Sequence, residues 1–322
     1  MKVVLAIDGG GSRTRCLAID QRGLLISQAE TGPSNHLLVD APVVSRSLAE
    51  AIDQTLKFGD LSRDSVACVS AGLAGVDFDG NGASQMEELL GQLGFENLVV
   101  NGDMIIAHAG ALLLNPGVVA LAGTGSVVLG VDLDDKRVKV GGWGPIYGDE
   151  GSAYRIGEMS LRAAAKAYDK RGPATKLTEA LLEGLGLNEF RETVAQVYVK
   201  GMEPRDIAVL SRVAYEVAET GDEVARSIFF QAGDELADSV EAAIRQLNFQ
   251  SSEVKVSYQG SVMSSCRLMR ERFIGQLQRR VPRLVVAPPE FEPVTGAYLL
   301  GCKALGWEVD EGVQVQLKSY RS

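Results

Sequence analysis

Two short glycine-rich segments contain residue types that could bind an anion. The first, AIDGGGSRTR, spans positions 6–15, and the second, LAGTGS, spans positions 121–126. Glycine lets backbone N–H groups approach a ligand closely, and successive N–H groups form a concave anion site. One such turn is a weak signal, since it is also compatible with an ordinary tight turn, but the pair favours phosphate binding. The predicted phosphate contacts are Gly10, Gly11, Ser12, Thr14, Thr124, Gly125 and Ser126.

Acidic residues lie beside these and other glycines. Asp8 ends an apolar run and could hold Mg²⁺ through water. Asp103, in NLVVNGDMIIAHAGALLL, could cap a helix or act as a general base, and the two roles are compatible. Asp149 and Glu150 stand in GGWGPIYGDEGSAYRIG, which contains six glycines. They could complement a helix dipole, but carboxylates in a glycine-rich frame also suit the hydroxyl groups of a sugar.

One more glycine could contact a nucleotide. The segment VSYQGSVMSS predicts a strand, a glycine and a helix, and Gly260 could place the first helical turn under a flat ring. An ordinary strand–helix turn explains this segment equally well.

The elements that would position these residues alternate along the chain. Hydrophobic periodicity predicts a long helical region at about 151–248. Strands are predicted at 3–8, 14–19, 24–29, 65–71, 97–101, 254–258 and 283–287, and further helices near 43–57, 84–93, 104–114, 262–279 and 294–306.

The two glycine-rich hairpins look like copies of one unit. VVALAGTGSVVLGVDLDDKRVKV follows VVLAIDGGGSRTRCLAIDQRGLLI closely, and the spacing pairs Ser12 with Ser126 and Asp20 with Asp134. Any two glycine-rich hairpins look somewhat alike, but the matched turns favour duplication. We therefore expect two like lobes with a ligand cleft between them. The predicted bounds are 1–116 with a terminal helix 294–322 for the first lobe, and 117–293 with a helical insertion at about 151–248 for the second.

Composition limits the partners. The chain has 322 residues, a net charge of −10 and a pI near 4.9, which disfavours nucleic acid but not a small anion such as ATP. The four cysteines form no close pair and favour buried thiols in a reducing compartment. The uncharged stretch 104–131 is broken by NPG and GTGS and is too interrupted to span a membrane. These features predict a soluble, cytoplasmic protein without a membrane partner.

Several motifs together resemble a known superfamily. DGGGSRT, ALAGTGS, GGWGPIYGDEGS, NGDMIIAHAGA and EPVTGAYLLG are similar, over nearly the whole chain, to segments of the sugar kinase–heat-shock protein–actin superfamily. Within it the chain resembles the N-acetylglucosamine kinase branch, grouped with the BadF/BadG/BcrA/BcrD-type ATPases. The resemblance implies an α/β fold of two ribonuclease H-like, actin-type lobes (duplicated βββαβαβα) with an interlobe cleft and a helical insertion in the second lobe.

The resemblance also implies a function. It implies an ATP-dependent kinase that phosphorylates an amino or N-acetylated amino sugar, at the 6-hydroxyl, with ATP and Mg²⁺; homodimers are common in that family. Asp103 would be the base, Asp8 would organise Mg²⁺, and Gly260 would lie at the adenosine. The implied sugar-site residues are Asn35, Gly75, Asp103, Gly125, Asp149 and Ala153.

Three departures from the family pattern leave the sugar open. The adenosine motif has one glycine in YQGS, Val127 replaces an asparagine, and Ala74 replaces a serine. The candidate sugars are N-acetylglucosamine, glucosamine and N-acetylmuramic acid.

The sequence disfavours two alternative functions. An ATPase activator of an acyl-CoA dehydratase or reductase would need clustered cysteines for an iron–sulfur centre, and the sequence lacks them. A non-catalytic sugar or nucleotide sensor often carries a helix-turn-helix, for which a chain beginning at its first strand is expected to have no room.

Overall fold

The computed structural model describes residues 1–249 and 253–320. The chain forms two compact units, one of Met1–Pro116 with Pro288–Ser322 and the other of Gly117–Ala287. Each unit contains one five-stranded sheet. Among the described helices, none is long and apolar enough to cross a membrane.

The first unit begins with three strands joined by hairpins and then alternates helix and strand. Its sheet has the order β3-β2-β1-β4-β5, with β1 antiparallel to β2 and parallel to β4. The elements are β1 (Val3–Gly9), β2 (Thr14–Asp20), β3 (Leu25–Thr31), α1 (Ala41–Phe58), β4 (Val66–Leu73), α2 (Ala83–Gln92), β5 (Leu98–Gly102) and α3 (Asp103–Leu112).

The second unit repeats this plan and adds helices between its third and fourth strands. Its sheet has the order β10-β9-β6-β7-β8. The elements are β6 (Gly117–Ala122), β7 (Ser126–Val131), β8 (Arg137–Gly141), α4 (Ala153–Tyr168), α5 (Leu177–Leu185), α6 (Glu192–Val194), α7 (Pro204–Glu219), α8 (Glu223–Gln246), β9 (Val254–Gln259), α9 (Ser261–Ser265), α10 (Arg267–Arg280) and β10 (Leu284–Ala287). The insertion is therefore α4 to α8.

The matching strand orders confirm the predicted duplication, but the equivalent residues differ from those expected. Four residues separate the paired Gly9 and Thr14 in the first hairpin, whereas three separate Ala122 and Ser126 in the second. Ser126 is therefore the counterpart of Thr14, the first residue of its strand. The pairing of Ser12 with Ser126 was wrong because the sequence does not reveal this difference in turn length.

The turn after the second strand confirms the corrected alignment. Oδ1 of Asp20 accepts the N–H groups of Arg22 and Leu24, and Oδ1 of Asp132 accepts those of Asp134 and Lys136. Asp132, not Asp134, is thus the counterpart of Asp20. Both carboxylates are almost completely buried and satisfy the backbone of their own turn.

The predicted helix 262–279 is broken into α9 and α10 at Cys266. The break leaves the carbonyls of Met263 and Ser264 without partners in the helix. The Arg270 guanidinium donates hydrogen bonds to both. The N–H of Arg267, at the start of α10, donates to the Tyr215 hydroxyl. Side chains distant in sequence therefore stabilise a break that local periodicity does not show.

The chain end returns to the first unit as two helices, α11 (Pro293–Leu305) and α12 (Glu311–Lys318). The single terminal helix 294–322 was wrong, because Gly306 adopts a left-handed conformation (φ 67°) that ends α11; residues 321–322 lie outside the described residues. The backbones of α3 and α11 come very close, since a Cβ on Gly296 would collide with the Ile106 carbonyl. The Tyr298 hydroxyl donates to the Asp20 carbonyl at 2.9 Å.

The helices bury both faces of the first sheet. Val3, Leu5 and Ile7 pack in a cluster with α1, whereas Val4 and Ala6 pack in a cluster with α11. All five side chains are completely buried. This explains why β1 is a continuous apolar run and places its polar end, at Asp8, at the edge of the sheet.

Candidate active site

The carboxyl ends of three parallel strands bring two aspartates to one edge of the first sheet. Gly9 is paired with Leu73, and Leu73 is paired with Gly102. Asp8, near the end of β1, and Asp103, directly after β5, therefore lie at the same edge, on the two strands that flank β4. This edge is where ligands bind in open α/β sheets. The two carboxylates are close enough that the charge of Asp103 raises the pKa of Asp8.

Asp8 is held in a setting that disfavours its charged form. Burial, and next the Asp103 carboxylate, raise the pKa of Asp8 to about 6, while the Arg15 and Arg13 guanidinium groups oppose the shift. Arg15 is itself paired with Glu292 at 2.9 Å. A partly buried carboxylate beside a second carboxylate fits a divalent cation, and Mg²⁺ commonly binds through one or two carboxylates and several waters. No cluster of three or more His, Cys, Asp or Glu side chains that could hold a metal occurs within residues 1–249 and 253–320.

The first glycine-rich turn forms a small cavity next to Asp8. The cavity has a volume of about 260 Å³, and the N–H of Gly10 donates across the turn to the Arg13 carbonyl. Gly11 and Ser12 are exposed at the tip of the turn. The cavity is lined by Asp8, Gly10, Gly11, Ser12, Arg13 and Arg15. Arg13 and Arg15 were not among the predicted site residues; Arg15 lies on β2, and Arg13 comes directly before that strand.

Thr14 is not positioned to contact a phosphate. It is completely buried, and its hydroxyl forms hydrogen bonds of 2.8 Å with the Gly32 carbonyl and the Ser34 hydroxyl. Thr14 thus fastens the base of the turn to the segment after β3.

Asp103 does not cap its helix. Gly102 occupies the cap position, and Oδ1 of Asp103 accepts the N–H of the next residue, Met104, at 2.8 Å. A Cβ on Gly102 would collide with the Val76 carbonyl, so the backbone before Asp103 packs directly against the loop that follows β4. The capping interpretation is therefore wrong, and the position of Asp103 at the sheet edge needs another explanation.

Asn35 and Gly75 lie together beside the first turn. The N–H of Asn35 donates to the Gly10 carbonyl at 3.2 Å, and Oδ1 of Asn35 accepts the N–H of Leu37 at 3.0 Å. Gly75 has a φ of +100°, and a Cβ there would lie 2.9 Å from Oδ1 of Asn35. Two predicted sugar-site residues are thus neighbours, and one is bonded to the predicted phosphate turn.

In the second unit, helix α4 supports the second glycine-rich turn. The N–H of Gly123 donates to the Gly125 carbonyl at 2.9 Å. The first N–H groups of α4 have no partner within their helix; that of Ala153 donates to the Gly123 carbonyl and that of Tyr154 to the Thr124 carbonyl, at 2.8 and 3.2 Å. The turn carbonyls are therefore fixed by the helix, and Thr124 is exposed at the tip.

Asp149 is part of the frame of this turn. Its Oδ1 accepts the N–H of Ser126 at 3.1 Å, and a Cβ on Gly125 would lie 2.9 Å from the same oxygen. Burial raises the pKa of Asp149, opposed by the Ser126 N–H, and the Glu150 carboxylate adds a smaller increase. Ser126 also donates its hydroxyl to the Glu150 carbonyl at 2.7 Å. The residue that caps α4 is Ser152, so the acids do not cap this helix.

A cavity of about 500 Å³ opens beside the second turn. Gly260 does not line it; with a φ of +100°, Gly260 packs so closely against the Ala122 carbonyl that a Cβ would collide with it. The residues after Gly260 form one wall and α7 forms another. The lining residues are Thr124, Ala153, Arg205, Ala208, Val209, Ser211, Arg212, Tyr215, Glu216, Ser261, Val262, Ser264, Ser265 and Cys266. The α7 residues were missed because a helix in an insertion has no local glycine signal.

Comparison with known proteins points to one family. A model of the BadF/BadG/BcrA/BcrD ATPase family matches residues 5–301. A Clostridium acetobutylicum protein named N-acetylmuramic acid/N-acetylglucosamine kinase is 32% identical over 93% of this chain and 98% of its own length. A Dictyostelium discoideum N-acetyl-D-glucosamine kinase is 30% identical over 93% of this chain and 97% of its own.

A solved structure shows the same fold. A Chromobacterium violaceum protein assigned as an N-acetylglucosamine kinase superposes with a TM-score of 0.74 and 23% identity, covering 94% of this chain and 99% of its own. The duplicated α/β architecture is therefore one that an assigned sugar kinase also has.

Proposed function

We propose that this chain, which belongs to the BadF/BadG/BcrA/BcrD ATPase family, is an ATP-dependent kinase of amino sugars. The observation that carries the proposal is the pair Asp8 and Asp103 at one sheet edge, beside the turn of Gly10 to Ser12. Phosphoryl transfer requires a charged, cation-binding phosphate site next to a base, and this edge has both kinds of group.

ATP is bound through its phosphates and its nucleoside. Gly11 and Ser12 are exposed in the turn of the first unit, and Thr124 is exposed in the turn of the second; backbone N–H groups of such turns suit phosphate oxygens. The cavity of about 500 Å³ next to Thr124 has room for a nucleoside, and its wall includes Arg212 and Glu216, which could reach its polar groups. Asp8 would hold Mg²⁺, which supplies charge neutralisation at the phosphates.

Asp103 is the base of the reaction. Its carboxylate accepts the proton of a sugar hydroxyl, the hydroxyl oxygen bonds to the γ-phosphorus, and the bond between that phosphorus and the bridging oxygen breaks to leave ADP. We propose the 6-hydroxyl as the acceptor and Asn35 with Gly75 as parts of the sugar site. Support for Asn35 and Gly75 comes from two contacts: the Asn35 N–H donates to the Gly10 carbonyl, and Gly75 packs against the Asn35 side chain.

The test is ADP release that depends on a sugar. Wild-type protein is assayed with Mg·ATP and N-acetylglucosamine, N-acetylmuramic acid or glucosamine, and NMR of the product identifies the phosphorylated hydroxyl. The substitution Asp103→Asn keeps the shape but not the base, so kcat falls by roughly 10²- to 10⁴-fold, while ATP affinity is retained. Asp60→Asn, an exposed aspartate in a left-handed conformation that asparagine also tolerates, is the control. Near-full turnover in Asp103→Asn would show that the base is assigned incorrectly.

The alternative of an ATPase activator gains no support from the thiols. All four cysteines, Cys16, Cys68, Cys266 and Cys302, are free and buried, and burial raises the pKa of each thiol.

We keep a homodimer and a cytoplasmic location as proposals. Size-exclusion chromatography with light scattering tests the homodimer.

A further inference from the structure

Two asparagine–glycine pairs occur in the sequence, Asn81–Gly82 and Asn101–Gly102, and the fold holds them differently. The backbone nitrogen of a glycine can attack the side-chain amide carbon of a preceding asparagine, because no side chain obstructs the approach. A carbon–nitrogen bond to the glycine nitrogen forms, the side-chain carbon–nitrogen bond breaks, and the glycine N–H proton leaves with the amide nitrogen as ammonia. Water then opens the succinimide ring to an aspartyl or isoaspartyl residue. Only water is consumed, so the local structure at each pair decides whether the reaction occurs.

The groups that react are unbonded at the first pair. Asn81 is exposed in the turn between β4 and α2. Its backbone is engaged, since its N–H donates to Oδ1 of Asp79 at 3.0 Å and its carbonyl accepts the Asp77 N–H at 2.9 Å. Its side-chain amide and the Gly82 N–H form no hydrogen bond with any group in the part of the chain that the structure describes. The attacking nitrogen and the carbon that it attacks are therefore both available.

The second pair lies within the first sheet. Asn101 and Gly102 are the last residues of β5 and are paired with β4. Gly102 is buried, and a Cβ on it would lie 2.4 Å from the Val76 carbonyl oxygen, whereas a Cβ on Gly82 would meet its nearest atoms only at 3.6 Å. Succinimide formation requires the asparagine backbone to leave the extended conformation of a strand. The end of β5 must therefore separate from β4 before Asn101 can react.

We propose that Asn81 is a site of spontaneous modification, at which deamidation converts the folded chain to aspartyl and isoaspartyl forms, while Asn101 is protected by its strand. The product carries one more negative charge, and the isoaspartyl form adds a methylene group to the backbone of the turn. The change lies beside the proposed sugar site, since the atoms nearest to a Cβ on Gly82 belong to the Gly75 carbonyl and the His36 ring. The modification itself does not depend on the proposed function.

Peptide mapping of aged wild-type protein compares the two pairs within one chain. Folded protein is incubated at mildly alkaline pH and digested, and mass spectrometry measures at each pair the replacement of an amide NH₂ by OH. We expect Asn81 to deamidate at least roughly tenfold faster than Asn101, because local opening must precede the reaction at Asn101. In guanidinium chloride, which unfolds the chain, the two rates should agree within roughly threefold. An unmodified Asn81, or equal rates at the two pairs in folded protein, would overturn the proposal.

A single substitution separates Asn81 from other sources of negative charge. Asn81→Gln keeps an exposed amide, but attack on the longer side chain must close a six-membered ring, which forms far more slowly. Aged wild type should accumulate an acidic species on anion exchange that an isoaspartate-specific methyltransferase labels, and Asn81→Gln should not. Asn188→Gln, at an exposed asparagine that precedes glutamate, is the matched control and should behave as wild type. An acidic species that persists in Asn81→Gln would show that the modification occurs elsewhere and would refute the assignment.

Discussion

The burial of Asp8 makes the ligand-free protein less stable than it could be. The pKa of Asp8 is raised from 3.8 to about 6, so the folded protein disfavours the ionised carboxylate relative to the unfolded chain. A shift of about two pKa units corresponds to about 3 kcal/mol, and partial exposure of the side chain reduces the expected effect to about 1–3 kcal/mol. The neutral substitution Asp8→Asn removes this cost.

The sign of the pH dependence follows from the direction of the shift. The folded state holds a proton that the unfolded chain releases above 3.8, so the cost of Asp8 is absent in acid, grows as pH rises through about 6, and is constant above about pH 7. In metal-free buffer at about pH 8, Asp8→Asn should melt several degrees above wild type. The gain should disappear near about pH 4.

Thermal melts followed by circular dichroism at several pH values, with EDTA present, measure this difference. Asp60→Asn again serves as the control and is expected to change stability by less than about 0.5 kcal/mol. Mg·ADP should stabilise wild type more than Asp8→Asn, because the amide supplies no charge to the cation. If Asp8→Asn is no more stable than wild type at about pH 8, or if its gain is the same at every pH, the electrostatic account of Asp8 is incorrect.

Two glycine substitutions test the second turn. Gly125→Ala places a methyl group against the Asp149 carboxylate. We expect steady-state kinetics to show kcat/KM lowered by at least about tenfold, and thermal melts to show a free energy of unfolding lowered by about 1–3 kcal/mol. Wild-type kinetics would contradict the role of Asp149 in holding this turn. Gly260→Ala meets the Ala122 carbonyl and should raise the ATP KM more than the sugar KM, whereas an effect on the sugar KM alone would contradict a nucleotide site beside α9.

The sequence predicted the topology well because β1 and the strands parallel to it have strong local patterns. Val3 to Ile7 are buried on both faces, which gives an uninterrupted apolar run, and polar residues begin where the strand leaves the core. The Gly10 turn, Asn35 and Gly75 were selected from family motifs, and the structure brings them together within one unit. That the turns of the two units share one cleft stays a prediction from the sequence.

What the sequence could not predict depends on contacts between distant residues. Thr14 looks like part of an anion turn, and only its bonds to Gly32 and Ser34 show that it is a buried support. The break at Cys266 likewise depends on Tyr215, which is 51 residues earlier in the chain. Tertiary contacts decided both cases, and local periodicity carries no information on them.

The return of the chain to its first unit has a consequence for synthesis on the ribosome. The second unit is continuous in sequence, whereas the first lacks α11 until the second unit has been translated. Until then the face of β1 formed by Val4 and Ala6 lacks the α11 side chains that pack against it. The unit translated first is therefore the one completed last, and a nascent or prematurely terminated chain presents an apolar surface that chaperones or proteases can recognise.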